Sequence, residues 1–416
     1  MTLSLYNLAL RLLQSLFALV HNGHLHWLVG KDSKTLRLIN GQKGLLSHIE
    51  QTMAGDERPV CWVHCSSLGE YGVARPVIAS LRQKGYQVVL TFFSPSGYEV
   101  MSRKDTADHV FYLPLDTQSN ARRFIGAVKP QRAVFIISEY WMNYLAELNA
   151  QHIPAYFVSM LVPDGSYLRK WYAGTLRRLL RQCRHITVCD EHSLHNLQYM
   201  GFCNVTVVGD PLFDNALQIA QAPYSNPVIE RFCQEADVLI AGSISDDKDL
   251  NMVTAFINRQ PQLKCIIAPH EISQKVIDDI KAHCNGKAVC HTACDHNTDF
   301  SQTQVLIIDY IGDLARLYRY GRYAYVGGGF TPYLHSVIEP VAYGLPLCFG
   351  PNIHRKSTPQ QMIDLGFGAI VNNDRELEQW FNSVSTDRYA SLRQKALDYA
   401  RRNGGATQTI TSIITE

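Results

Sequence analysis

The feature that most constrains the fold is an alternation of short β-rich runs with helical stretches, which begins near residue 59. It pauses once, at Leu217–Pro227, where two prolines, a serine and an asparagine are typical of a linker, and then restarts. Such alternation predicts parallel, doubly wound α/β domains, here two of about equal size. The default ligand site is then the cleft between them. The predicted strands are Val60–His64, Gln87–Thr91, His109–Leu113, Ala133–Ile137, Pro154–Val158, His185–Val188, Val205–Val208, Asp237–Ala241, Lys264–Ala268, Gln304–Ile308, Arg322–Val326, Pro346–Phe349 and Ala369–Val371; predicted helices include Glu70–Lys84, Ser119–Val128 and Leu168–Cys183.

Composition excludes several classes of protein. Hydrophobic residues make up 46% and charged residues 18% of the 416 residues, so the chain is neither disordered nor a polyelectrolyte. A net charge of +2 gives no global attraction to nucleic acid, and we expect no nucleic-acid partner. The 11 cysteines lack the regular spacing of a disulfide framework, which favours a reducing cytosolic setting.

The most apolar segment is Leu3–Val20, whose polar residues, including Arg11, line one side of a helix. A bilayer-spanning helix needs about 20 apolar residues and would bury Arg11, whereas a helix in the membrane interface leaves it hydrated. No cleaved signal peptide is indicated. A mild cationic excess up to Glu50 suits anionic lipid. The alternative is an amphipathic helix docked on the protein's own core.

The first candidate catalytic residue is Glu70, which follows Ser66, Ser67 and Gly69 where the first predicted strand runs into a helix. A carboxylate in the first helical turn is held ionised by the helix dipole. It could accept a proton from an attacking hydroxyl group. The alternative is that Glu70 only completes a capping arrangement at the start of the helix.

A second motif is Gly327-Gly328-Gly329, directly after a predicted strand. Three glycines could expose backbone N–H groups to an anion, although the same triplet could be only a turn. His335 and Glu339 are four residues apart, which predicts one shared helix face. The carboxylate could bind ribose hydroxyls while the histidine and the glycine loop approach a phosphate. The motif matches neither the P-loop nor the dinucleotide fingerprint, which disfavours ATPases and dehydrogenases.

Two further clusters call for interpretation. A cationic run with no acidic residue between Leu168 and Cys189 could face phosphate or lipid headgroups, or be an ordinary solvated helix face. A group of cysteines and histidines between His283 and His296 suggests zinc, but its spacing fits no standard zinc module, so we expect no metal site. The cationic run contains Arg169, Lys170, Arg177, Arg178, Arg181 and Arg184.

Taken together, these motifs resemble those of the 3-deoxy-D-manno-octulosonic acid (Kdo) transferases of lipopolysaccharide synthesis, from about Leu3 to Val371. One such motif would carry little weight, but the whole set in this order is specific. The motifs are VHCSSLGE (63–70), LTFFSPSGYE (90–99), FYLPLD (111–116), SEYWMNYL (138–145), VVGDPLFDNAL (207–217), IAPHE (267–271), YVGGGFTPYLHSVIEP (325–340) and CFGPN (348–352).

The resemblance implies a GT-B arrangement of two doubly wound, Rossmann-like domains that face a central cleft, with an amphipathic membrane-associated helix at the amino terminus. We expect the interface helix over residues 1–30, the acceptor domain over 31–218 and the donor domain over 228–416, with a last helix able to pack back on the first domain. The implied reaction is an inverting, metal-independent transfer of Kdo from CMP-Kdo to the lipid A precursor. No cofactor is expected, and the implied location is the cytoplasmic face of the inner membrane.

The resemblance also implies roles for particular residues. Glu70 matches the general base, and Glu139 matches the family's acidic residue before an aromatic residue and Trp. Gly327–Gly329, His335 and Glu339 match the donor-nucleotide motif. His270 matches the histidine of the donor-domain motif. The cations Arg169, Lys170, Arg177 and Arg178 would face the bis-phosphorylated lipid acceptor.

The chain departs from the family pattern at Pro211-Leu212, at Ile244, at Ser336, at residues 357–361 and in the loop 160–164, where polar or cationic groups are usual. Two alternatives to the leading hypothesis therefore stay open. One is a transferase that uses another nucleotide-sugar on a related lipid. The other is a catalytically silent binding protein of lipopolysaccharide assembly.

Overall fold

The computed structural model of this chain describes residues 3–21, 33–55, 58–354, 357–384 and 386–416. The chain forms two compact units. The first unit contains Met1–Asn215 and Gly405–Glu416, and the second contains Ala216–Gly404. Residues 22–30 of the expected interface segment lie outside the described residues.

The first unit is built on a parallel sheet of seven strands in the order β3-β2-β1-β4-β5-β6-β7. Every residue of β1, β2 and β5 is buried, as expected for strands covered by helices on both faces. The core contains the large aromatic side chains of Trp62, Phe124, Phe135, Tyr144 and Phe157. Its strands are β1 (Val60–Cys65), β2 (Gln87–Phe92), β3 (His109–Tyr112), β4 (Arg132–Ile136), β5 (Ala155–Met160), β6 (His185–Val188) and β7 (Val205–Val207).

Helices fill the connections between these strands, and one further helix from the end of the sequence packs on α4. In that last helix the carbonyl of Thr415 accepts a hydrogen bond from Arg132 at 3.2 Å, and Asp214 accepts hydrogen bonds from the N–H groups of Gly405 and Thr407. The helices of this unit are α1 (Leu3–His21), α2 (Lys34–Gly41), α3 (Leu45–Thr52), α4 (Leu68–Gln83), α5 (Pro95–Met101), α6 (Gln118–Val128), α7 (Met142–Ala150), α8 (Gly174–Arg181), α9 (Glu191–Tyr199) and α19 (Ala406–Thr415); α10 (Leu212–Gln221) crosses the boundary between the units.

The second unit repeats this architecture with the strand order β10-β11-β9-β8-β12-β13-β14, again entirely parallel. Its strands are β8 (Val238–Ile244), β9 (Lys264–Pro269), β10 (Ala288–Cys290), β11 (Val305–Ile307), β12 (Tyr323–Val326), β13 (Leu347–Phe349) and β14 (Gly368–Ile370). Its helices are α11 (Pro227–Cys233), α12 (Asp247–Asn258), α13 (Gln274–His283), α14 (Leu314–Leu317), α15 (Ile338–Ala342), α16 (Thr358–Asp364), α17 (Asp374–Ser383) and α18 (Thr386–Arg402).

The prediction of two doubly wound parallel domains is confirmed, and each predicted strand overlaps an observed one. Two local predictions are wrong. The expected helix Leu168–Cys183 becomes two single 3₁₀ turns followed by α8, because Lys170 adopts an extended conformation (φ −69°, ψ 143°) between them. The expected linker Leu217–Pro227 is helical up to Gln221, because Leu217 and Ile219 continue the helix that Pro223 then prevents from extending.

Helix α1 combines the two alternatives considered for it. One side docks on the first unit, where Phe17 and Val20 pack with Leu36 and Ile39. The other side presents a row of exposed leucines, and the 18-residue window Leu3–Val20 is long and apolar enough to cross a membrane while only 6% of it is buried. The exposed leucines are Leu5, Leu8, Leu12, Leu13, Leu16 and Leu19.

Candidate functional site

In the first unit, the candidate residues follow β1 and β4, which are neighbours at the point where the strand order reverses. Ligands of open α/β sheets bind beyond the carboxyl ends of strands at such a point. Glu70 follows β1, and Glu139 follows β4. Burial raises the pKa of the Cys65 thiol, and the nearby negative charges of both carboxylates raise it further. Glu70 and Glu139 are therefore brought to the same edge of the sheet.

Glu70 occupies the third position of α4 and forms a capping box with Ser67. The backbone N–H of Ser67 donates to Glu70 Oε2 at 2.7 Å, and the Ser67 hydroxyl contacts the same oxygen. Within the described residues, Oε1 accepts no hydrogen bond. The capping arrangement anticipated from the sequence is thus present, and it fixes one oxygen of the carboxylate while the other stays available.

Glu139 belongs to the short segment after β4, whose first residue has an unusual backbone conformation. Ile137, directly after β4, has φ +64°, a region that β-branched residues rarely adopt. Strain of this kind persists only where surrounding structure enforces it, and it is often found at functional sites. The segment also carries Trp141, whose indole N–H donates to Glu139 Oε2 at 3.1 Å.

The same indole N–H reaches His64, a fully buried residue of β1 that the sequence analysis did not single out. Trp141 Nε1 lies 2.8 Å from His64 Nε2, and His64 Nδ1 lies 2.9 Å from Thr91 Oγ1. Because Nε2 accepts from Trp141, the hydrogen-bond pattern assigns a ring proton to Nδ1. The signal in the sequence was a histidine inside an otherwise apolar buried strand.

In the second unit, the glycine triplet follows β12, whose neighbour β8 lies at the reversal of that sheet. A Cβ on Gly327 would lie 2.2 Å from the carbonyl of Ser243, and Gly328 has φ +87° with no room for a side chain. The amides of Gly327 and Gly328 already donate to Gly242 and to Asp249. The expectation that all three amides face an anion is therefore wrong. Of the three amides, only that of Gly329 donates no hydrogen bond within the described residues.

Asp249 is the residue that organises this loop, and the sequence analysis missed it. Its buried carboxylate accepts the Gly328 N–H at 2.7 Å and the hydroxyl of Tyr325, and it also contacts Ser245. Burial raises the pKa of Asp249, while the hydrogen bonds from Tyr325 and Gly328 oppose that rise. In the sequence, an acidic residue at the third position of a predicted helix indicates only helix capping, so the role of Asp249 could not be predicted.

His335 and Glu339 do not share a helix face, so that prediction is wrong. Helix α15 begins only at Ile338, because Pro340 lacks an N–H and fits only the first turn of a helix. His335 lies in the preceding loop and packs against the exposed His270, with ring centroids 4.3 Å apart. Burial and the neighbouring His270 lower the pKa of His335 to about 4. Glu339 is half-buried in the first turn of α15. Burial raises the pKa of Tyr318, and the charge of Glu339 adds to that rise.

The predicted lipid-facing cations divide into two kinds. Arg169 pairs with Asp164 at 2.5 Å, and Arg177 donates to the carbonyl of Leu168 at 2.7 Å, so these two hold their own loop together. Lys170 and Arg178 are exposed. They accompany an exposed cluster of aromatic rings formed by Tyr167, Trp171 and Tyr172, in which the Trp171 side chain is 88% exposed.

Among the described residues, no group of three or more His, Cys, Asp and Glu side chains could hold a metal ion. Cys284 and Cys290, from the cluster that suggested zinc, are buried separately, at the C-cap of α13 and in β10. His291 contacts Asn226 and the ring of Tyr310 instead.

The positions that depart from the family pattern are structural where the structure describes them. Leu212 is buried and its N–H donates to Asp210, while Ile244 is buried at the end of β8. The Ser336 hydroxyl accepts a hydrogen bond from the N–H of Ile338. Residues 357–361 form the start of α16.

Sequence comparison shows which known proteins this chain is similar to. Residues 42–215 match the family model of 3-deoxy-D-manno-octulosonic-acid transferase (kdotransferase). The chain is 26% identical over 325 residues to the 3-deoxy-D-manno-octulosonic acid transferase of Aquifex aeolicus, covering 76% of this chain and 83% of that one. It is 24% identical to the corresponding enzyme of Haemophilus influenzae, covering 85% of this chain and 86% of that one.

Solved structures show the same fold at low sequence identity. UDP-GlcNAc 2-epimerase from Neisseria meningitidis superposes with a TM-score of 0.60 at 14% identity, covering 86% of this chain and 99% of that one. MurG from Acinetobacter baumannii gives a TM-score of 0.54 at 15% identity, with coverage of 86% and 99%.

The fold and the sequence matches together define a glycosyltransferase of the GT-B class. Within that class, the chain is similar to the 3-deoxy-D-manno-octulosonic acid transferases, through the family model over residues 42–215 and through relatives that match most of its length. The resemblance of its sequence motifs to those of Kdo transferases is thereby confirmed.

Proposed function

We propose that this protein transfers Kdo from CMP-Kdo to a lipid A precursor, with inversion at the anomeric carbon and without a metal ion. The observation that carries the proposal is the state of Glu70, which has one oxygen fixed by Ser67 and the other available at a sheet edge where ligands bind. Similarity to the Kdo transferases suggests the substrate class.

In the proposed reaction, the acceptor hydroxyl oxygen forms a bond to the anomeric carbon of Kdo while the bond from that carbon to the phosphate of CMP breaks. Glu70 takes the hydroxyl proton, and CMP leaves with the bonding electron pair. A carboxylate placed in this way typically contributes about 10²–10⁴-fold to the rate. Fixing one oxygen of Glu70 reduces the orientational freedom that must be lost in the transition state.

Glu139 is the second carboxylate at this edge, and we assign it to orientation of the acceptor. Its Oε2 accepts a hydrogen bond from the Trp141 N–H, and its side chain is 20% exposed. The carboxylate therefore reaches solvent while it remains fixed. A carboxylate in this state can accept a hydrogen bond from a sugar hydroxyl of the acceptor. If Glu70 were not the base, Glu139 would be the first replacement to test.

The second unit would take the donor. Glu339 would accept hydrogen bonds from the ribose hydroxyls, and His270, His335 and the Gly329 amide would approach the phosphate and the Kdo carboxylate. The low pKa of His335 makes it a neutral hydrogen-bond donor at physiological pH. A donor with a single phosphate does not require a bridging metal ion, so we propose that no cofactor takes part.

We further propose that the protein lies on the cytoplasmic face of the inner membrane. The exposed leucine row of α1 supplies apolar area, and the aromatic cluster with Lys170 and Arg178 supplies groups suited to the headgroup region. Docking of α1 on its own domain favours an interfacial helix over a spanning one.

Two other functions remain candidates because of the departures from the family pattern. Leu212, Ile244 and Ser336 are accommodated structurally and provide no cation for a donor. A different nucleotide-sugar donor or a silent role in lipopolysaccharide assembly would both be compatible with that loss.

The test is a titration with CMP followed by a transfer assay with CMP-Kdo and the tetra-acylated lipid A precursor. A second CMP-activated keto sugar acid serves as the competing donor, and each assay is repeated with EDTA. The proposal expects CMP binding and EDTA-resistant transfer from CMP-Kdo. Transfer from the other donor alone would establish the first alternative, CMP binding without transfer the second, and activity restored by one divalent metal would refute metal independence.

A further inference from the structure

Asp116 is a fully buried carboxylate outside the proposed catalytic groups, and it is saturated with hydrogen bonds. Its Oδ2 accepts the Tyr6 hydroxyl at 2.6 Å and the Asn143 N–H at 3.2 Å, and its Oδ1 accepts the Tyr144 N–H at 3.0 Å. The Asn143 side chain donates back to the Asp116 carbonyl. A buried charge is tolerated only where such partners replace water.

The amides that Asp116 accepts are those of the first turn of α7. The residue at the N-cap of this helix is Trp141, which provides no side-chain cap. Asp116 therefore caps the amino-terminal end of α7, although it is distant in sequence. A negative charge is favourable at this end of a helix.

The first turn of α7 sets the position of the segment before it, residues 137–141, which carries Glu139. Trp141 is the N-cap residue itself, and its indole N–H holds both Glu139 and His64. At the other end of this segment, Ile137 is fixed in its positive-φ conformation, with its N–H donated to Val158 at 2.8 Å. Capping by Asp116 is thus one of the attachments that place Glu139.

Tyr6 connects this cap to the helix that carries the exposed leucines. It lies on α1 between Leu5 and Leu8, which point outward with 57% and 55% of their surfaces exposed. Burial raises the pKa of Asp116 to about 7, and the hydrogen bond from Tyr6 opposes that rise and so favours the ionised form. A change in the seating of α1 would therefore reach α7 through the contact between Tyr6 and Asp116.

We propose that Tyr6 and Asp116 are positioning residues that couple the seating of α1 on a lipid surface to the placement of Trp141 and Glu139. The proposal rests on the proposed function for its biological meaning, but the link itself is a structural property. It makes the acceptor side of the site best ordered when α1 is held against the domain.

The test is hydrogen exchange on the full-length protein, measured by mass spectrometry, comparing the parent with Tyr6→Phe. Tyr199→Phe is the matched control, because Tyr199 is 79% exposed on α9 of the same unit. Phenylalanine keeps the packing of Tyr6 and removes only the hydroxyl, so the fold should survive. We expect exchange across 139–148 to rise roughly tenfold in Tyr6→Phe and to stay at the parent value in the control, from the usual strength of a hydrogen bond to a charged group.

A second arm adds vesicles of phosphatidylethanolamine and phosphatidylglycerol. Vesicles should slow exchange across 139–148 in the parent and have a smaller effect in Tyr6→Phe. Parent-like exchange in Tyr6→Phe, or a rise spread evenly over the whole sheet, would overturn the positioning role. An absence of any vesicle effect in the parent would overturn the coupling to lipid.

Activity then separates this inference from the proposed function. With the proposed substrates, Tyr6→Phe should lower kcat several-fold and leave the KM for CMP-Kdo unchanged. A protein that shows the exchange change but no transfer in any variant would refute the proposed reaction and retain the structural link. A protein that transfers Kdo with parent kcat in Tyr6→Phe would refute the link and retain the reaction.

Discussion

The indole nitrogen of Trp141 lies 2.8 Å from Nε2 of the buried His64, so one N–H joins strand β1 to the segment that follows β4. His64 continues through Thr91 to the indole of Trp62, which donates to the threonine hydroxyl at 2.8 Å. This chain of polar contacts lies among aromatic side chains, with the rings of His64 and Trp141 5.7 Å apart. Glu139 lies at one end of this chain of contacts, where its carboxylate accepts a hydrogen bond from the Trp141 N–H.

Removing that N–H should cost stability. In Trp141→Phe, a smaller aromatic ring replaces the indole and His64 Nε2 loses its donor, and an unsatisfied buried acceptor costs about 1–3 kcal/mol. We expect the free energy of unfolding of the first unit, measured with urea, to fall by that amount. Trp171→Phe is the control, because Trp171 is 88% exposed and should show no loss. Equal losses in both variants would mean that the contact is not the cause.

Glu70→Gln should abolish transfer while CMP affinity stays nearly unchanged. Glutamine can replace glutamate in a capping box, so the fold should persist, but it cannot take a proton. The expected loss is about 10²–10⁴-fold in kcat. Glu191→Gln, in the first turn of α9, is the matched control and should retain full activity. Turnover within a few-fold of the parent would move the base assignment to Glu139, and lost CMP affinity would make Glu70 structural.

Glu339→Ala should weaken CMP binding without unfolding the second unit. Hydrogen bonds from ribose hydroxyls to a charged acceptor are each worth about 1.5–3 kcal/mol. Calorimetry should therefore show at least a tenfold rise in the Kd for CMP. Glu235→Ala, an exposed glutamate of the same unit, should bind CMP as the parent does. An unchanged Kd in Glu339→Ala would refute the ribose contact.

The second unit should lose stability as pH falls below about 6.5, the ordinary pKa of histidine. The pKa of His335 is about 4 in the folded protein, so between these values the unfolded chain binds a proton that the folded chain does not. We expect a loss on the order of 1 kcal/mol at pH 5, after allowing for solvent screening. Thermal unfolding at pH 7 and pH 5 should show this loss in the parent and not in His335→Gln. An equal pH effect in both proteins would assign it to other groups.

Substituting three exposed leucines of α1 should release the protein from vesicles. The variant Leu8→Ser, Leu12→Ser, Leu16→Ser removes apolar area that is already outside the core, so stability should hold while the partition coefficient falls about 100-fold. Leu365→Ser, at a residue of the second unit that is 42% exposed, serves as the control. Retained vesicle binding by the triple variant would place membrane contact elsewhere.

Much of the fold could be predicted from the sequence because hydrophobic runs and helical periodicity are local signals. Strand β10 was missed because three residues carry too little pattern. Leu168–Cys183 was mistaken for one helix because the interruption at Lys170 depends on backbone geometry rather than on residue type. Pro340 was present in the sequence and should have excluded the shared helix face of His335 and Glu339.

The site was predictable only where a motif lies within one segment. Glu70 and its capping partner are three residues apart, so spacing alone placed them together. Asp116 and Asn143, or Asp249 and Gly328, are joined by long-range packing that no local pattern encodes. The glycine triplet shows the opposite failure, since its spacing suggested an anion site although the amides of Gly327 and Gly328 are engaged within the protein.

The return of α19 to the first unit bears on the order of events during biosynthesis. Ile410 and Ile414 are buried where α19 packs on α4, and Asp214 is joined to Gly405 and Thr407. A ribosome must therefore make all of residues 216–404 before the first unit can be completed. Until then, part of the apolar surface of α4 stays uncovered, which exposes the nascent chain to chaperones and proteases. In the order of synthesis, the second unit is finished before the first unit, although the first unit is begun earlier.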